Sequence, residues 1–88
     1  MSDWFVYMLR CADNSLYTGV TTDIDRRVIE HNAEKSLTKY TRVRQPVILA
    51  YQEQADSRSE ACKREAQLKK LTKLQKEALV LSFKENRK

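Results

Sequence analysis

The chain has 88 residues, 41% of them hydrophobic and 33% charged, and a formal net charge of +5. This composition indicates one folded domain over residues 1–88, ordered from about 3 to 84, and excludes an intrinsically disordered chain. The sequence lacks an apolar stretch long enough to cross a bilayer and lacks a secretory signal pattern. Its cysteines are not clustered, which excludes a small disulfide-stabilised protein and a zinc site built from Cys and His. We therefore expect a cytoplasmic protein.

The first predicted element is a β-hairpin. Residues 4–11 are apolar at successive positions, which is typical of a central strand covered on both faces. Asp13, Asn14 and Ser15 favour a turn, and residues 16–20 are then predicted to form the second strand.

The length of the hairpin loop decides whether Tyr7 and Tyr17 share a face of the sheet. Side chains alternate along a strand, so a two-residue loop would put the two phenols on opposite faces. A three-residue loop, 12–14, pairs Tyr7 with Gly19 and puts both phenols on one face, with Asn14 in the left-handed conformation. Gly19 is the only glycine of the chain, which indicates a position where another group approaches the backbone closely.

A first helix is predicted after the hairpin. Thr22 opens the run Thr-Asp-Ile-Asp, a helix start signal in which it is the predicted N-cap, and the helix runs to about Glu34 with Ile24 facing the core. Arg27 and His31 are four residues apart and therefore stand on one helix face. The Arg27 guanidinium could bind phosphate oxygens, and the His31 imidazole could exchange protons near neutral pH. The ordinary alternatives to these functional roles are an arginine exposed to solvent and a histidine packed in the protein.

The third strand is predicted after a polar stretch. Residues 36–45 are polar and basic and are predicted to form a loop. Pro46 then leads into a strand over residues 47–52.

Two further helices complete the order ββαβαα. Ser57 and Glu60 match a capping box that opens the second helix, and Thr72 supplies another N-cap signal that predicts a break near residues 71–72. The last helix is predicted over about 73–84. Its predicted apolar side consists of Leu74, Ala78, Leu79, Leu81 and Phe83.

Glu65 interrupts the apolar stripe of the second helix. Ala61, Glu65 and Leu68 fall on one helix face, and a carboxylate in such a stripe is costly unless it is paired or binds a metal ion. A salt bridge to Arg27 or to a nearby lysine, or a position at the flank of the stripe, would also explain it.

Two segments hold a dense excess of positive charge. Residues 57–76 contain seven basic and two acidic residues, and residues 35–44 contain four basic residues and no acid. Such patches favour a nucleic-acid partner over a merely solvated surface.

The ordered set Phe5-Val6-Tyr7, Tyr17-Thr18-Gly19, Arg27, His31 and Glu65 resembles the GIY-YIG nuclease family. The resemblance covers nearly the whole chain and is closest to the small stand-alone bacterial YhbQ-like proteins, which share the runs Lys39-Tyr40-Thr41-Arg42 and Arg64 to Lys69. It implies an α+β fold with a three-stranded antiparallel sheet flanked by helices.

The resemblance also implies hydrolysis of phosphodiester bonds in DNA with one divalent metal ion, Mg²⁺ or Mn²⁺. Glu65 would be the metal ligand, and Tyr7 the general base that activates water. A phenol has an ordinary pKa of about 10, so Tyr7 needs a positive neighbour, which Arg27, the metal ion or both would supply. Tyr17 would orient water or phosphate, Arg27 would stabilise phosphate charge, and His31 would assist proton relay. The predicted substrate-binding residues are Gly19, Lys39, Arg42, Lys69, Lys70 and Lys73.

The chain departs from the family pattern at two positions. Phe5 replaces the glycine of the first motif, and the only asparagine after Glu65 is Asn86, in a tail predicted to fray. A non-catalytic nucleic-acid-binding module therefore stays open as an alternative, as does a small adaptor that docks a partner protein through residues 57–84. The oligomeric state is left open.

Overall fold

The structure, a computed structural model, describes residues 3–33 and 38–86. The strands are β1 (Trp4–Arg10), β2 (Leu16–Thr21) and β3 (Ile48–Ala55), and the helices are α1 (Ile24–Asn32), α2 (Lys39–Arg42), α3 (Arg58–Lys69) and α4 (Lys73–Glu85). The sheet is antiparallel in the order β2-β1-β3. This confirms the predicted α+β class and the central position of the first strand. Among the described residues, no helix is both long and apolar enough to span a membrane.

β1 supplies apolar side chains to both faces of the sheet. Tyr7 and Leu9 pack with Ile24 in one cluster, which α1 covers. Val6 packs with Ala61 and Leu68 of α3 in the other. Two covered faces explain why residues 4–11 are apolar throughout, and full burial of each such side chain stabilises the fold by about 1.5–3 kcal/mol.

The hairpin has the predicted three-residue loop. Tyr7 pairs with Gly19 and Leu9 with Tyr17, so the two phenols share a face. Asn14 has a φ of 71°, in the left-handed region that asparagine tolerates.

The predicted N-cap of α1 was wrong by one residue. Asp23, not Thr22, caps the helix, and its carboxylate accepts a hydrogen bond from the Arg26 N–H at 3.1 Å. The Thr21 hydroxyl accepts from the Asp23 N–H at 3.0 Å and so holds Asp23 in the capping position. Both Thr and Asp are good N-caps, so residue type alone does not distinguish Thr22 from Asp23.

α1 also ends earlier than predicted. Its last residue is Asn32, whose side chain donates to the Val47 carbonyl at 2.8 Å and accepts from the Val47 N–H at 2.7 Å. This side chain joins the end of α1 to the backbone that leads into β3. The predicted helix end at Glu34 lies outside the described residues.

The predicted loop 36–45 contains a short helix, α2, which corrects the sequence prediction. Thr38 is its N-cap and accepts from the Thr41 N–H at 3.2 Å. A helix of four residues is too short to show a 3.6-residue periodicity, which is why the sequence did not predict it. β3 runs to Ala55 rather than residue 52, because its polar end stays paired with β1.

The break between the last two helices is confirmed. Ser57 caps α3, and Thr72 and Gln75 form a reciprocal capping box at the start of α4. Leu74, Ala78 and Leu81, however, were wrongly placed on the apolar side, because Leu74 and Leu81 are 81% and 58% exposed and Ala78 is exposed as well. Asn86 caps the end of α4, and residues 87–88 of the predicted fraying tail lie outside the described residues.

Contacts on the sheet-facing side of α4 determine how this helix is rotated about its own axis. Arg10 of β1 donates to both carboxylate oxygens of Glu77, at 2.5 and 2.6 Å. The Phe83 ring packs against Tyr51, with 5.7 Å between centroids. These contacts face the sheet and turn Leu74 and Leu81 toward solvent.

Candidate active site

Tyr7, Tyr17 and His31 meet on the α1 side of the sheet. The Tyr7 hydroxyl lies 3.0 Å from Nε2 of His31. The Tyr17 ring packs against the His31 ring with 5.1 Å between centroids. Three of the five predicted catalytic residues are therefore in direct contact, because strand parity and the α1 spacing aim them at one point.

The position of the Tyr7 side chain requires a glycine at residue 19. A Cβ atom at position 19 would lie 2.6 Å from the Tyr7 hydroxyl oxygen and 2.8 Å from its Cζ atom. Gly19 does not have a positive φ, so the requirement is one of space and not of backbone conformation. The phenol of Tyr7 lies across the backbone of β2 at this residue. Whether substrate also approaches here stays a prediction.

Burial decides the protonation state of the Tyr7–His31 pair. Burial, with a smaller contribution from Tyr17, raises the pKa of the Tyr7 phenol well above its ordinary value, and Arg27 opposes this only in part. Burial and then the Arg27 charge lower the pKa of His31. Near neutral pH the pair is a neutral phenol beside a neutral imidazole. His31 is 1% exposed, so it reaches other groups in the site only through its buried neighbours.

Arg27 borders this pair from α1. Its guanidinium donates to the Thr21 hydroxyl at 3.4 Å and lies 3.9 Å from a carboxylate oxygen of Glu30. Its side chain is 40% exposed, so it remains accessible to an anion. Sequence analysis missed Glu30, whose signal is its spacing of three and four residues from Arg27 and Arg26.

A cleft of about 290 Å³ opens beside Arg27. A larger cleft of about 440 Å³ lies between β3 and α4, but none of the predicted site residues lines it. The smaller cleft is the better candidate because Arg27 lines it, although Tyr7, Tyr17, His31 and Glu65 are not among its lining residues. Its lining consists of Trp4, Thr21, Thr22, Asp23, Arg26, Arg27 and Glu30.

Glu65 lies on α3, the helix that packs against Val6 on the other face of the sheet. Ala61 and Leu68 on its helix face are fully buried, whereas the Glu65 side chain is 22% exposed. Its carboxylate lies 3.1 Å from the Lys69 ammonium, which matches the lysine salt bridge among the alternatives. Burial is the main cause of the raised pKa of Tyr7, and the Glu65 charge adds only a smaller contribution.

One of the predicted site residues, Glu65, carries a carboxylate of the kind that a magnesium-like ion binds. Within residues 3–33 and 38–86, no group of three or more His, Cys, Asp or Glu side chains could hold a metal ion. Mg²⁺ does not need such a cage, since it keeps several waters and binds through one or two carboxylates and substrate phosphates. The partly exposed carboxylate of Glu65 satisfies that requirement.

The predicted substrate-binding residues divide into two groups. Lys39 and Arg42 are exposed on α2, and Tyr40 between them packs on Tyr17 with 5.7 Å between ring centroids. The Arg44 guanidinium lies over the Tyr40 ring, 3.9 Å from its centroid. Basic side chains therefore adjoin the site through the Tyr17–Tyr40 contact.

The second group lies around the junction of α3 and α4. Lys70, the C-cap of α3, is exposed. Lys69 pairs with Glu65. Lys73 donates to the Asn14 carbonyl and lies 3.4 Å from Glu77, so it binds the hairpin loop.

Comparison with known proteins agrees with the resemblance seen in the sequence. A profile of the GIY-YIG catalytic domain matches residues 3–78. A UPF0213 protein of Desulfotalea psychrophila is 52% identical over 77 residues, which cover 88% of this chain and 70% of that protein. One from Halobacterium salinarum is 54% identical over 74 residues, which cover 84% of this chain and 95% of the relative.

Two solved structures are similar in fold as well as in sequence. The solution structure of a UPF0213 protein from Bacillus halodurans has 44% identity and a TM-score of 0.56, covering 89% of this chain and 82% of that one. A protein from E. faecalis has 43% identity and a TM-score of 0.59, with coverages of 90% and 84%.

Proposed function

Because the chain belongs to the GIY-YIG family and to its UPF0213 proteins, we propose that it is a metal-dependent nuclease that hydrolyses phosphodiester bonds in DNA. The contact between the Tyr7 hydroxyl and Nε2 of His31, at 3.0 Å, is the observation that carries the proposal. It joins a phenol at the site to a buried proton acceptor.

In this proposal Tyr7 relays a proton from water to His31. Its raised pKa keeps the phenol protonated before reaction, so it does not remove a proton from water as a preformed phenolate. A water at the Tyr7 oxygen gives up its proton as Tyr7 passes its own proton to Nε2 of His31. The imidazole is neutral and can receive that proton. The hydroxide equivalent then attacks phosphorus, the bond to the leaving oxygen breaks, and that oxygen takes up a proton from solvent, while the proton on His31 returns to solvent through Tyr7.

Arg27 stabilises the charge that develops on the phosphate. Its fork of donors suits two phosphate oxygens at once, and the cleft beside it leaves room for them. Tyr17 contacts the His31 ring and orients the water or the phosphate. These groups are held in place before the substrate arrives, so little reorganisation accompanies the reaction.

Glu65 would hold the divalent ion, with waters and substrate oxygens as the remaining ligands. Such an ion, when bound, polarises the phosphate and offsets the charge on the leaving oxygen. The Lys69 ammonium contacts the same carboxylate and has to move aside for the ion.

DNA is the proposed substrate because exposed cations adjoin the site. Lys39 and Arg42 flank Tyr40, which packs on Tyr17, and Lys70 lies at the end of the helix that carries Glu65. Contacts of this kind with phosphates supply affinity without reading sequence.

A cleavage panel tests the proposal. The protein is incubated with duplex, single-stranded and branched DNA and with RNA, each with Mg²⁺, with Mn²⁺ or with chelator. We expect metal-dependent cleavage of at least one DNA form, abolished by chelator and by Arg27→Ala. Salt-sensitive binding to DNA with no cleavage of any form would favour the non-catalytic module instead. A protein complex that resists high salt and nuclease treatment, without DNA binding, would favour the adaptor.

A further inference from the structure

Three aromatic rings and one guanidinium form a row of contacts that leads from the interior of the protein to its surface. The Tyr17 ring centroid lies 5.1 Å from that of His31 and 5.7 Å from that of Tyr40. The guanidinium carbon of Arg44 lies 3.9 Å from the centroid of the Tyr40 ring. His31 is fully buried, whereas Tyr40 is exposed. Tyr17 therefore stands between the buried imidazole and a ring at the surface.

The orientation of Tyr17 depends on the packing of its ring. In the described part of the chain, no group forms a hydrogen bond with the Tyr17 hydroxyl. The side chain packs against the buried cluster that contains Leu9. Its ring is tilted by 57° to the ring of His31 and by 37° to the ring of Tyr40. The hydroxyl is thus available to a water or a phosphate oxygen, and ring contacts determine where it points.

Arg44 holds Tyr40 in place from the side of the hairpin loop. Its guanidinium donates to the Tyr40 carbonyl at 3.0 Å and to the Asp13 carboxylate at 2.9 Å, while it lies over the Tyr40 ring. The Ala12 N–H donates to the Arg44 carbonyl at 2.9 Å. A guanidinium suits this position because it donates in its own plane while its face covers an aromatic ring. Tyr40 is therefore tied to the loop that joins the two strands carrying the phenols of the site.

We propose that Tyr40, held by Arg44, is a positioning residue that keeps the Tyr17 ring against His31. The catalytic meaning of this inference rests on the proposed nuclease function, in which Tyr17 orients the water or the phosphate, but the ring geometry itself does not. The effect of Tyr40 on the reaction passes through Tyr17, so no step requires Tyr40 to touch the substrate. The inference also gives a role to α2, the short helix that carries Tyr40.

Proton NMR of the intact protein tests the ring geometry. His31 is the only histidine, so its ring protons are assigned without ambiguity. We expect nuclear Overhauser contacts of the Tyr17 ring protons with those of His31 and with those of Tyr40. If the wild-type protein shows no contact between the Tyr17 and Tyr40 rings, the inference is overturned before any variant is made.

Two matched variants show whether Tyr40 is the cause. Tyr40→Leu removes the ring and keeps an apolar side chain, and we expect the Tyr17–His31 contacts to weaken and the His31 ring signals to shift. Tyr40→Phe keeps the ring, and we expect it to preserve both. Unchanged contacts and signals in a folded Tyr40→Leu protein would refute the inference.

Arg44→Met decides the question if Tyr40→Leu does not fold. This variant removes the guanidinium and leaves the Tyr40 ring in the chain. We expect it to weaken the same contacts between the Tyr17 and His31 rings. Contacts as strong as in the wild type would then refute the inference.

Cleavage kinetics separate positioning from a merely structural role. On a DNA form that the wild type cleaves, we expect Tyr40→Leu to lower kcat by about 10- to 100-fold with little change in KM, and Tyr40→Phe to cleave like the wild type. In a Tyr17→Leu background, Tyr40→Leu should cause no further loss, because the ring that it positions is gone. A raised KM with an unchanged kcat would assign Tyr40 to substrate binding and overturn the inference. If the wild type cleaves nothing, the nuclease proposal fails while the NMR contacts still decide whether Tyr40 positions Tyr17.

Discussion

The phenol oxygen of Tyr7 lies 2.6 Å from the point where a Cβ atom of residue 19 would stand, so Gly19 and Tyr7 exclude a side chain between them. The only glycine of the chain thus serves the residue at the centre of the site. A substitution of Gly19 should therefore change both the stability of the fold and the position of the Tyr7 phenol.

Gly19→Ala is expected to be destabilising, although alanine usually favours the folded state at ordinary backbone angles. The added methyl group must push back the ring of Tyr7, at a cost of about 1–3 kcal/mol in the free energy of unfolding. Urea denaturation measures this cost. In a Tyr7→Leu background the same substitution should cost less, and equal costs in both backgrounds would show that the two residues are not coupled.

Tyr7→Phe is expected to remove most of the cleavage activity. The variant keeps the ring and loses the hydroxyl that links water to His31, so we expect kcat to fall by about 10²- to 10⁴-fold. Tyr17→Phe is the matched control on the neighbouring strand, and its effect should be smaller because Tyr17 contacts His31 through its ring. Equal losses in the two variants would contradict a relay that runs through Tyr7 alone.

The stability of the protein should depend on pH through His31. Its folded pKa is lowered by burial and by Arg27, so below the ordinary pKa of about 6.5 the unfolded chain binds more protons than the folded one. Stability is therefore highest above this pH and is lost progressively as the pH falls from about 6.5 toward the lowered pKa. Urea denaturation between pH 7.5 and 5.5 measures the slope.

His31→Gln provides the control for that slope. The chain has a single histidine, and the ordinary pKa values of carboxyl groups, about 4, lie below this interval, so the variant should show a nearly flat stability over it. A slope that survives the substitution would assign the effect to another group.

Several of these features follow from local sequence. The length of the hairpin loop, residues 12–14, determines strand parity, which puts Tyr7, Tyr17 and Gly19 on one face. The spacing of Arg27 and His31 in α1 and the N-cap at Thr72 are local as well. Local patterns therefore predict the order of elements and the approximate placement of the site.

The features that the sequence did not predict depend on contacts between distant residues. The exposure of Leu74 follows from the pair formed by Arg10 and Glu77, which are 67 residues apart. The burial of His31 depends on α2, which is too short to show a periodicity. Burial of Tyr7 itself raises the pKa of its phenol, whereas a preformed base would need a lowered pKa.

The cations near the α3–α4 junction should differ in their effect on DNA binding. Lys70→Ala is expected to weaken binding and to reduce the salt slope by about 1, because its exposed ammonium is available to a phosphate. Lys73→Ala should change that slope less and lower stability instead, because its ammonium contacts Asn14 and Glu77. Binding titrations over a range of salt concentrations, beside urea denaturation, measure both. Equal salt slopes for the two variants would show that the contacts of Lys73 do not survive DNA binding.

Glu65 provides the most direct test of the account as a whole. Glu65→Gln keeps the shape of the side chain and removes the charge that would hold the metal ion. Glu60→Gln is the matched control, since Glu60 lies on the same helix and pairs with Lys63 at 3.6 Å, as Glu65 pairs with Lys69. The measurement is single-turnover cleavage, with saturating Mg²⁺, of the DNA form that the wild type cleaves best. The account predicts that Glu65→Gln loses cleavage by at least about 10²-fold while it still binds DNA, and that Glu60→Gln cleaves like the wild type. Cleavage by Glu65→Gln at the wild-type rate would contradict it.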